Sequence, residues 1–195
     1  MRKTPYRWLD LQKLCQLLLP RNTISEIKYF TALVSARPAD PNQTVRQQVY
    51  LRALGTLPNV SIHYGHFLTH EITMPGVPVP GRRQEYVRVI KTEEKGSDVN
   101  LATHVLHDAH MGRFEVAVVV SNDSDLLEPI KIVRDVLHKK VGILNPHKKP
   151  SRAAAAYRFY QANPRRRASG VAIPGDDERP ARDFHQAVDV VRNQG

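Results

Sequence analysis

Apolar residues along this chain recur with two periods, and the switches between those periods outline its elements. Leu11, Leu14, Cys15 and Leu18 share one helical face, with Asp10 placed to cap the helix and Pro20 to end it. Glu26 to Val34 is rich in β-branched and aromatic residues and stops at Pro38-Ala39-Asp40-Pro41, so it reads as a strand followed by a loop. Thr44 to Leu57 reads as a helix with Val45, Val49 or Tyr50, and Leu54 inward, and Val60 to Leu68 as a second strand. The Pro- and Gly-containing stretch Met74 to Arg83 predicts a flexible basic loop, after which Tyr86 to Lys91 alternates as a short strand.

The second half continues the alternation. Ser97 to His110 predicts a helix with Leu101, Ala102, Val105, Leu106 and Ala109 inward, Ser97 as its cap and Gly112 at its end. Glu115 to Val120 is an unbroken apolar run of the kind buried on both faces of a parallel sheet. Leu126 to His138 aligns Leu126, Ile130, Val133 and Leu137 on one helical side, and Lys140 to Leu144 is a further strand. Such an order predicts an α/β fold: a mostly parallel sheet between two helix layers, with functional groups at the carboxyl ends of the strands. Ser151 to Tyr160 reads as a closing helix, and residues 163–195 as a basic, disordered tail beyond a domain spanning 1–162.

Composition narrows the partners. With 41% hydrophobic and 25% charged residues among 195, the chain has material for one packed domain. Its longest apolar runs fall far short of the roughly 20 residues of a membrane span, and the basic N-terminus lacks the apolar stretch of a secretory signal. The single cysteine, Cys15, allows no internal disulfide and points to a reducing, cytoplasmic setting. A formal charge of +10 favours a polyanionic partner, although some of that excess lies around Arg165-Arg166-Arg167.

The candidate chemistry lies where the apolar run ends, at Ser121-Asn122-Asp123-Ser124-Asp125. Two carboxylates about 4 Å apart repel by roughly 4 kcal/mol at an effective dielectric of about 20, so a cation between them is favoured. Hard oxygen donors suit Mg²⁺ or Mn²⁺. The plainer alternative is that one aspartate caps the helix starting at Leu126, which accounts for one acid and not for both. Asp98, in the first turn of the preceding helix, is a third acid that also serves the helix dipole. His104, His107 and His110, and likewise His63, His66 and His70, lack the spacing of a zinc motif and read as partly exposed residues.

Lys91-Thr92-Glu93-Glu94-Lys95-Gly96-Ser97-Asp98-Val99-Asn100-Leu101-Ala102, followed about twenty residues later by Val119-Val120-Ser121-Asn122-Asp123-Ser124-Asp125-Leu126, resembles the NYN domain of the PIN-like nuclease superfamily. The likeness runs from about Trp8 to His147. It implies a Rossmann-like three-layer α/β/α sandwich that hydrolyses RNA with Mg²⁺ or Mn²⁺. By the resemblance Asp98, Asp123 and Asp125 take the places of the acidic ligands, and Ser121, Asn122 and Ser124 are supporting polar residues. RNA is the implied partner, with Lys91, Lys95, Arg82 and Arg83 available to phosphates. The family pattern opens with a central strand ending in an Asp-Gly-x-Asn-type motif. This chain begins instead at the loop before its first helix, so the resemblance implies a sheet lacking its N-terminal central strand, either from a start placed too late, the favoured reading, or in a degenerate member of the family. Two rival readings are a non-catalytic RNA-binding or regulatory module and a haloacid-dehalogenase-like phosphatase. The latter expects Thr or Val where Leu127 stands.

Overall fold

The computed structural model describes residues 8–36, 38–144, 146 and 187–192. In chain order the elements are α1 (Leu11–Leu18), β1 (Thr23–Ala32), α2 (Gln43–Gly55), β2 (Val60–Pro75), β3 (Tyr86–Lys95), α3 (Ser97–His110), β4 (Val116–Val120), α4 (Leu127–Lys131, continued by a π-helical turn over Ile132–Val136), β5 (Lys140–Leu144) and β6 (Ala187–Arg192). The six strands form one sheet in the order β3-β2-β1-β6-β4-β5. β1 pairs parallel to β2 and β4 parallel to β5, while β6 runs antiparallel to both β1 and β4. Four strands therefore point the same way, and β3 and β6 oppose them.

A helix layer covers each face, as the alternation of elements predicts. On one side Leu11, Leu14, Cys15 and Leu18 of α1 and Leu51 and Leu54 of α2 pack against Ile27, Tyr29 and Val118. On the other, Leu101, Val105 and Ala109 of α3 and Ile130 and Val133 of α4 and its π turn enclose Phe30, Ala117 and Val119. Alternate residues of β1 and β4 thus feed opposite cores, which is why the run Val116 to Val120 shows no polar position. The architecture is the three-layer α/β/α sandwich.

α1 forms as its sequence predicts, with the Asp10 carboxylate accepting the Lys13 N–H at 3.0 Å. α2 does not bury the face its apolar residues suggest: Val45 and Val49 are exposed, and Gln43 and Gln47 are buried beside Leu51 and Leu54. The reason is local backbone demand. Gln47 donates to the Ala32 carbonyl at 2.8 Å and accepts the Val34 N–H at 2.9 Å, satisfying groups where β1 leaves the sheet.

The expected basic loop stands between two strands that are longer than expected. β2 runs through Pro75 and pairs with β3 from His66↔Lys95 to Pro75↔Tyr86, so the strands take only Met74 and Pro75 of the expected loop and residues 76–85 join them. Only Ile27–Ala32 of β1 accompany β2, over Val60–Gly65; beyond Gly65 the hairpin leaves the sheet as a two-stranded arm. Gly65 marks the departure, since a Cβ there would lie 2.5 Å from the Lys95 carbonyl oxygen and 2.8 Å from Ser97 Oγ.

The centre of the sheet is filled from the other end of the chain. The resemblance implied a gap there, and residues 163–195 were expected to be a tail; Ala187–Arg192 instead pairs with β1 on one side and β4 on the other, with Val188 in register with both Lys28 and Val119. The closing helix expected at Ser151 to Tyr160 lies outside the described residues.

Candidate metal and RNA site

β4 ends in a turn held by its own side chains. Ser121 is buried, and its Oγ accepts the Asp123 N–H at 3.0 Å. One carboxylate oxygen of Asp123 accepts the Asp125 N–H at 2.9 Å, and the Ser124 carbonyl accepts the Leu127 N–H at 3.1 Å, leading into α4. Leu126, not an aspartate, occupies the cap position of α4, and it makes no side-chain cap bond. Asp123 therefore stabilises the turn rather than the helix. A carboxylate has about four acceptor positions, so one backbone bond leaves most of its capacity to a cation. Asn122 is half-buried, and Ser124 and Asp125 are exposed.

Asp98 lies at the same edge of the sheet but over a different strand. α3 begins where β2 leaves the sheet: Gly96, at φ 92°, occupies the cap position, and Asn100 Nδ2 donates to the Tyr64 carbonyl at 3.3 Å. Ser97, expected as the cap, is instead the first helical residue, buried and donating to Glu94. β4 stands three strand places from β2, so at about 4.8 Å per place the two element ends lie roughly 14 Å apart. Asp98 is exposed. Among the described residues, no group of three or more His, Cys, Asp or Glu side chains is arranged to hold a metal ion. Asp123 and Asp125 are hard oxygen donors of the kind Mg²⁺ or Mn²⁺ takes, two residues apart on one turn, and among the described residues no cage joins them to Asp98.

The basic residues are distributed along the arm. Arg82 and Arg83 are exposed at its tip, about ten strand residues, or roughly 34 Å, from its root. Lys91 and Lys95 share Glu93, at 2.7 and 3.3 Å, and their hydrogen bonds hold the Glu93 carboxyl below its ordinary pKa. A nucleic acid touching both the tip arginines and the Asp123 turn would have to span several nucleotides.

A second polar group was missed by sequence reasoning. Lys28 of β1 and Asp108 of α3 form a buried ion pair, and Arg113 closes on the other Asp108 oxygen at 3.0 Å. His104 Nδ1 lies 3.5 Å from Lys28 Nζ, the His63 and His104 rings are 4.2 Å apart, and Phe30 stacks on His63 at 5.0 Å. Ser61 Oγ bridges His63 Nε2 and Glu26, each at 3.2 Å. Burial lowers the pKa of both histidines, reinforced at His63 by His104 and at His104 by Lys28. A lysine within a strand of mixed polarity and an aspartate on a helix gave no local signal. Only the 80-residue separation closed by folding pairs them.

A three-layer α/β/α sandwich with an acidic turn at the carboxyl end of β4 is the architecture of a PIN-like α/β domain, and the family match fixes the class. The model of the NYN domain matches residues 3–163, and the chain belongs to that family. A curated relative, the 6-hydroxy-3-succinoylpyridine 3-monooxygenase HspA of Pseudomonas putida (strain DSM 28022 / S16), is 29% identical over 178 residues, covering 79% of this chain and 57% of that protein. The chain thus spans little more than half the length of that relative. No solved structure matches the chain significantly. No helix among the described residues is long and apolar enough to cross a membrane.

Proposed function

We propose that this protein is a metal-dependent ribonuclease that hydrolyses RNA phosphodiester bonds at the turn Ser121 to Asp125. The observation that carries the reading is that turn: in a chain of the NYN family, two carboxylates leave the carboxyl end of a buried strand on a loop pinned by buried Ser121. Asp123 and Asp125 are the residues that would hold Mg²⁺ or Mn²⁺. The bound ion supplies an activated water and neutralises charge on the phosphate. Asp98 acts from the start of α3 on the flanking part of the site, and Asn122 and Ser124 offer polar contacts beside the acids. Arg82 and Arg83 bind the RNA backbone away from the scissile bond, making affinity fall with salt, whereas Lys91 and Lys95 are engaged by Glu93 and add little. Buried Cys15, with no second cysteine in the chain, accords with a reducing, cytoplasmic setting.

The test is cleavage of end-labelled single-stranded RNA by the full chain with Mn²⁺ and with EDTA. Mn²⁺-dependent products lost in Asp123→Asn support the reading; cleavage that survives both Asp123→Asn and Asp125→Asn overturns the site. The separation of Asp98 from the Asp123 turn favours one alternative, a non-catalytic RNA-binding module. Salt-sensitive RNA retention without cleavage, unchanged by Asp123→Asn, would establish it. The named activity of the relative is tested in parallel by oxygen uptake with 6-hydroxy-3-succinoylpyridine and a two-electron reductant such as reduced nicotinamide. Turnover of that compound without RNA cleavage would replace the nuclease reading.

A further inference from the structure

The arm formed by residues 66–75 and 86–95 has an unusual surface for so basic a chain. Ten residue pairs join its strands, yet none of its side chains is buried. An isolated two-stranded ribbon is marginal in water, so ten pairs without cover need another source of burial. The register sorts the side chains by face. Val87 opposes Met74 and Val89 opposes Ile72 on one face, with Leu68 farther down; Tyr86 opposes Pro75 and Ile90 opposes Glu71 on the other. Met74, Val87, Val89 and Leu68 are 41%, 53%, 36% and 46% exposed. The first face thus carries an apolar patch of Ile72, Met74, Val87 and Val89 near the tip, separated from Leu68 by His70 and Lys91 and followed by the Lys91–Glu93–Lys95 ion pairs, whereas on the second Ile90 sits beside the Arg88–Glu71 ion pair and Phe67 stands apart near the root.

Charge selects the occupant. The arm's two strands contain three basic residues (Arg88, Lys91, Lys95) and three acidic ones (Glu71, Glu93, Glu94), so they are neutral in a chain of +10. Arg88 is paired with Glu71, and Lys91 and Lys95 with Glu93. A nucleic acid gains little from such a surface, because its affinity comes from unpaired cations. A second copy of this chain would be repelled by contact almost anywhere basic, but not here. The arm also projects beyond the sheet, so two arms can meet without bringing the rest of the domains together.

We propose that the protein forms a two-fold dimer through the arm, the patch Ile72, Met74, Val87 and Val89 of one chain packing on the same patch of the second. The two ribbons form a small sandwich with layers about 10 Å apart, and the isologous contact closes at two chains. Arg82 and Arg83 of both copies lie at the arm tips, outside the apolar patch.

Light scattering coupled to size exclusion, on the full chain at tens of micromolar, should give twice the chain mass. Val87→Lys with Val89→Lys should reduce it to the single-chain mass, while Ile90→Lys, on the opposite face and 73% exposed, should leave the dimer intact. Circular dichroism melting checks that each variant folds. Val89→Cys should cross-link to its counterpart on oxidation, since the only native cysteine, Cys15, is buried. A wild-type monomer overturns the proposal. So does a dimer that survives the Val87 and Val89 changes, one that Ile90→Lys abolishes, or a folded Val89→Cys protein that does not cross-link.

Discussion

The two polar centres of this molecule differ in almost every physical respect. The Asp123 turn lies at the carboxyl edge of the sheet, its acids half-buried or exposed and its hydrogen bonds local, within a few residues of chain. The Lys28–Asp108 network lies about ten residues, or roughly 15 Å, along α3 from Asp98, and joins β1, β2 and α3 through buried charge. The shifted histidine pKa values belong to the second centre. A perturbed titration is often a pointer to a functional site. Here it accompanies an ion pair that ties a sheet to a helix, while the turn matching the family's motif is exposed enough to receive a substrate. The difference teaches that burial and mutual pairing mark what holds the fold, and accessible carboxylates on a rigid turn mark what can act on something else.

The comparison breaks if either centre behaves like the other. The largest effect should be on stability: Asp108→Leu leaves the buried Lys28 with Glu26, 3.8 Å away, and the His104 ring, 3.5 Å away, and should cost about 3–5 kcal/mol in urea unfolding. Lys28→Met should cost less, because Asp108 keeps Arg113. Equal losses would show that Arg113 contributes nothing to the pair. Next, Asp123→Asn should lower Mn²⁺-dependent RNA cleavage about a hundredfold, a loss of about 2.7 kcal/mol of transition-state stabilisation, with little change in the melting midpoint. A drop in stability matching that of Asp108→Leu would make the turn structural.

Gly65→Ala comes third. Its Cβ would meet the Lys95 carbonyl at 2.5 Å, and we expect about 1–3 kcal/mol of destabilisation together with loosened hydrogen-exchange protection at the arm root and the start of α3. Fourth is pH. Folding depresses the pKa of His63 and His104, so the unfolded chain binds more protons below its ordinary histidine pKa of about 6.5. Their contribution is complete above that pH and is lost as pH falls through the folded values. Unfolding midpoints of wild type and of a His63→Gln, His104→Gln variant should therefore converge on acidification; parallel profiles would sink the assignment. The smallest effect is at the arm tip, where replacing Arg82 and Arg83 by Ala should make the salt dependence of RNA binding shallower by about 1.4 in the log–log slope.

Much of the framework was legible because its signals are local. Asp10 and the 11-14-15-18 spacing defined α1, Ser97 to His110 bounded α3, and the unbroken run before Ser121 announced a strand covered on both sides. The family motif identified the acidic turn on the same grounds. Where polar side chains serve distant backbone, the pattern misled: Gln47 turns inward to hold Ala32 and Val34, so Val45 faces out. The Pro- and Gly-containing stretch was rightly read as a loop, but the strands beside it were cut short at Leu68 and Lys91, because the polar residues Thr69 to Glu71 and Thr92 to Lys95 gave no apolar signal where ten residue pairs form.

By itself, the sequence determined the alternation of strands and helices, the two-sided burial of β4 and the acidic turn that ends it, because each depends on side chains a few positions apart. Only the tertiary structure decided that β6 fills the centre of the sheet, that Asp98 and Asp123 stand over different strands, and that Lys28 meets Asp108. Those outcomes rest on the packing of distant segments, the pairings among them joining residues 67 to 169 positions apart, where hydrogen bonds and buried charge find their partners only after the chain has closed on itself.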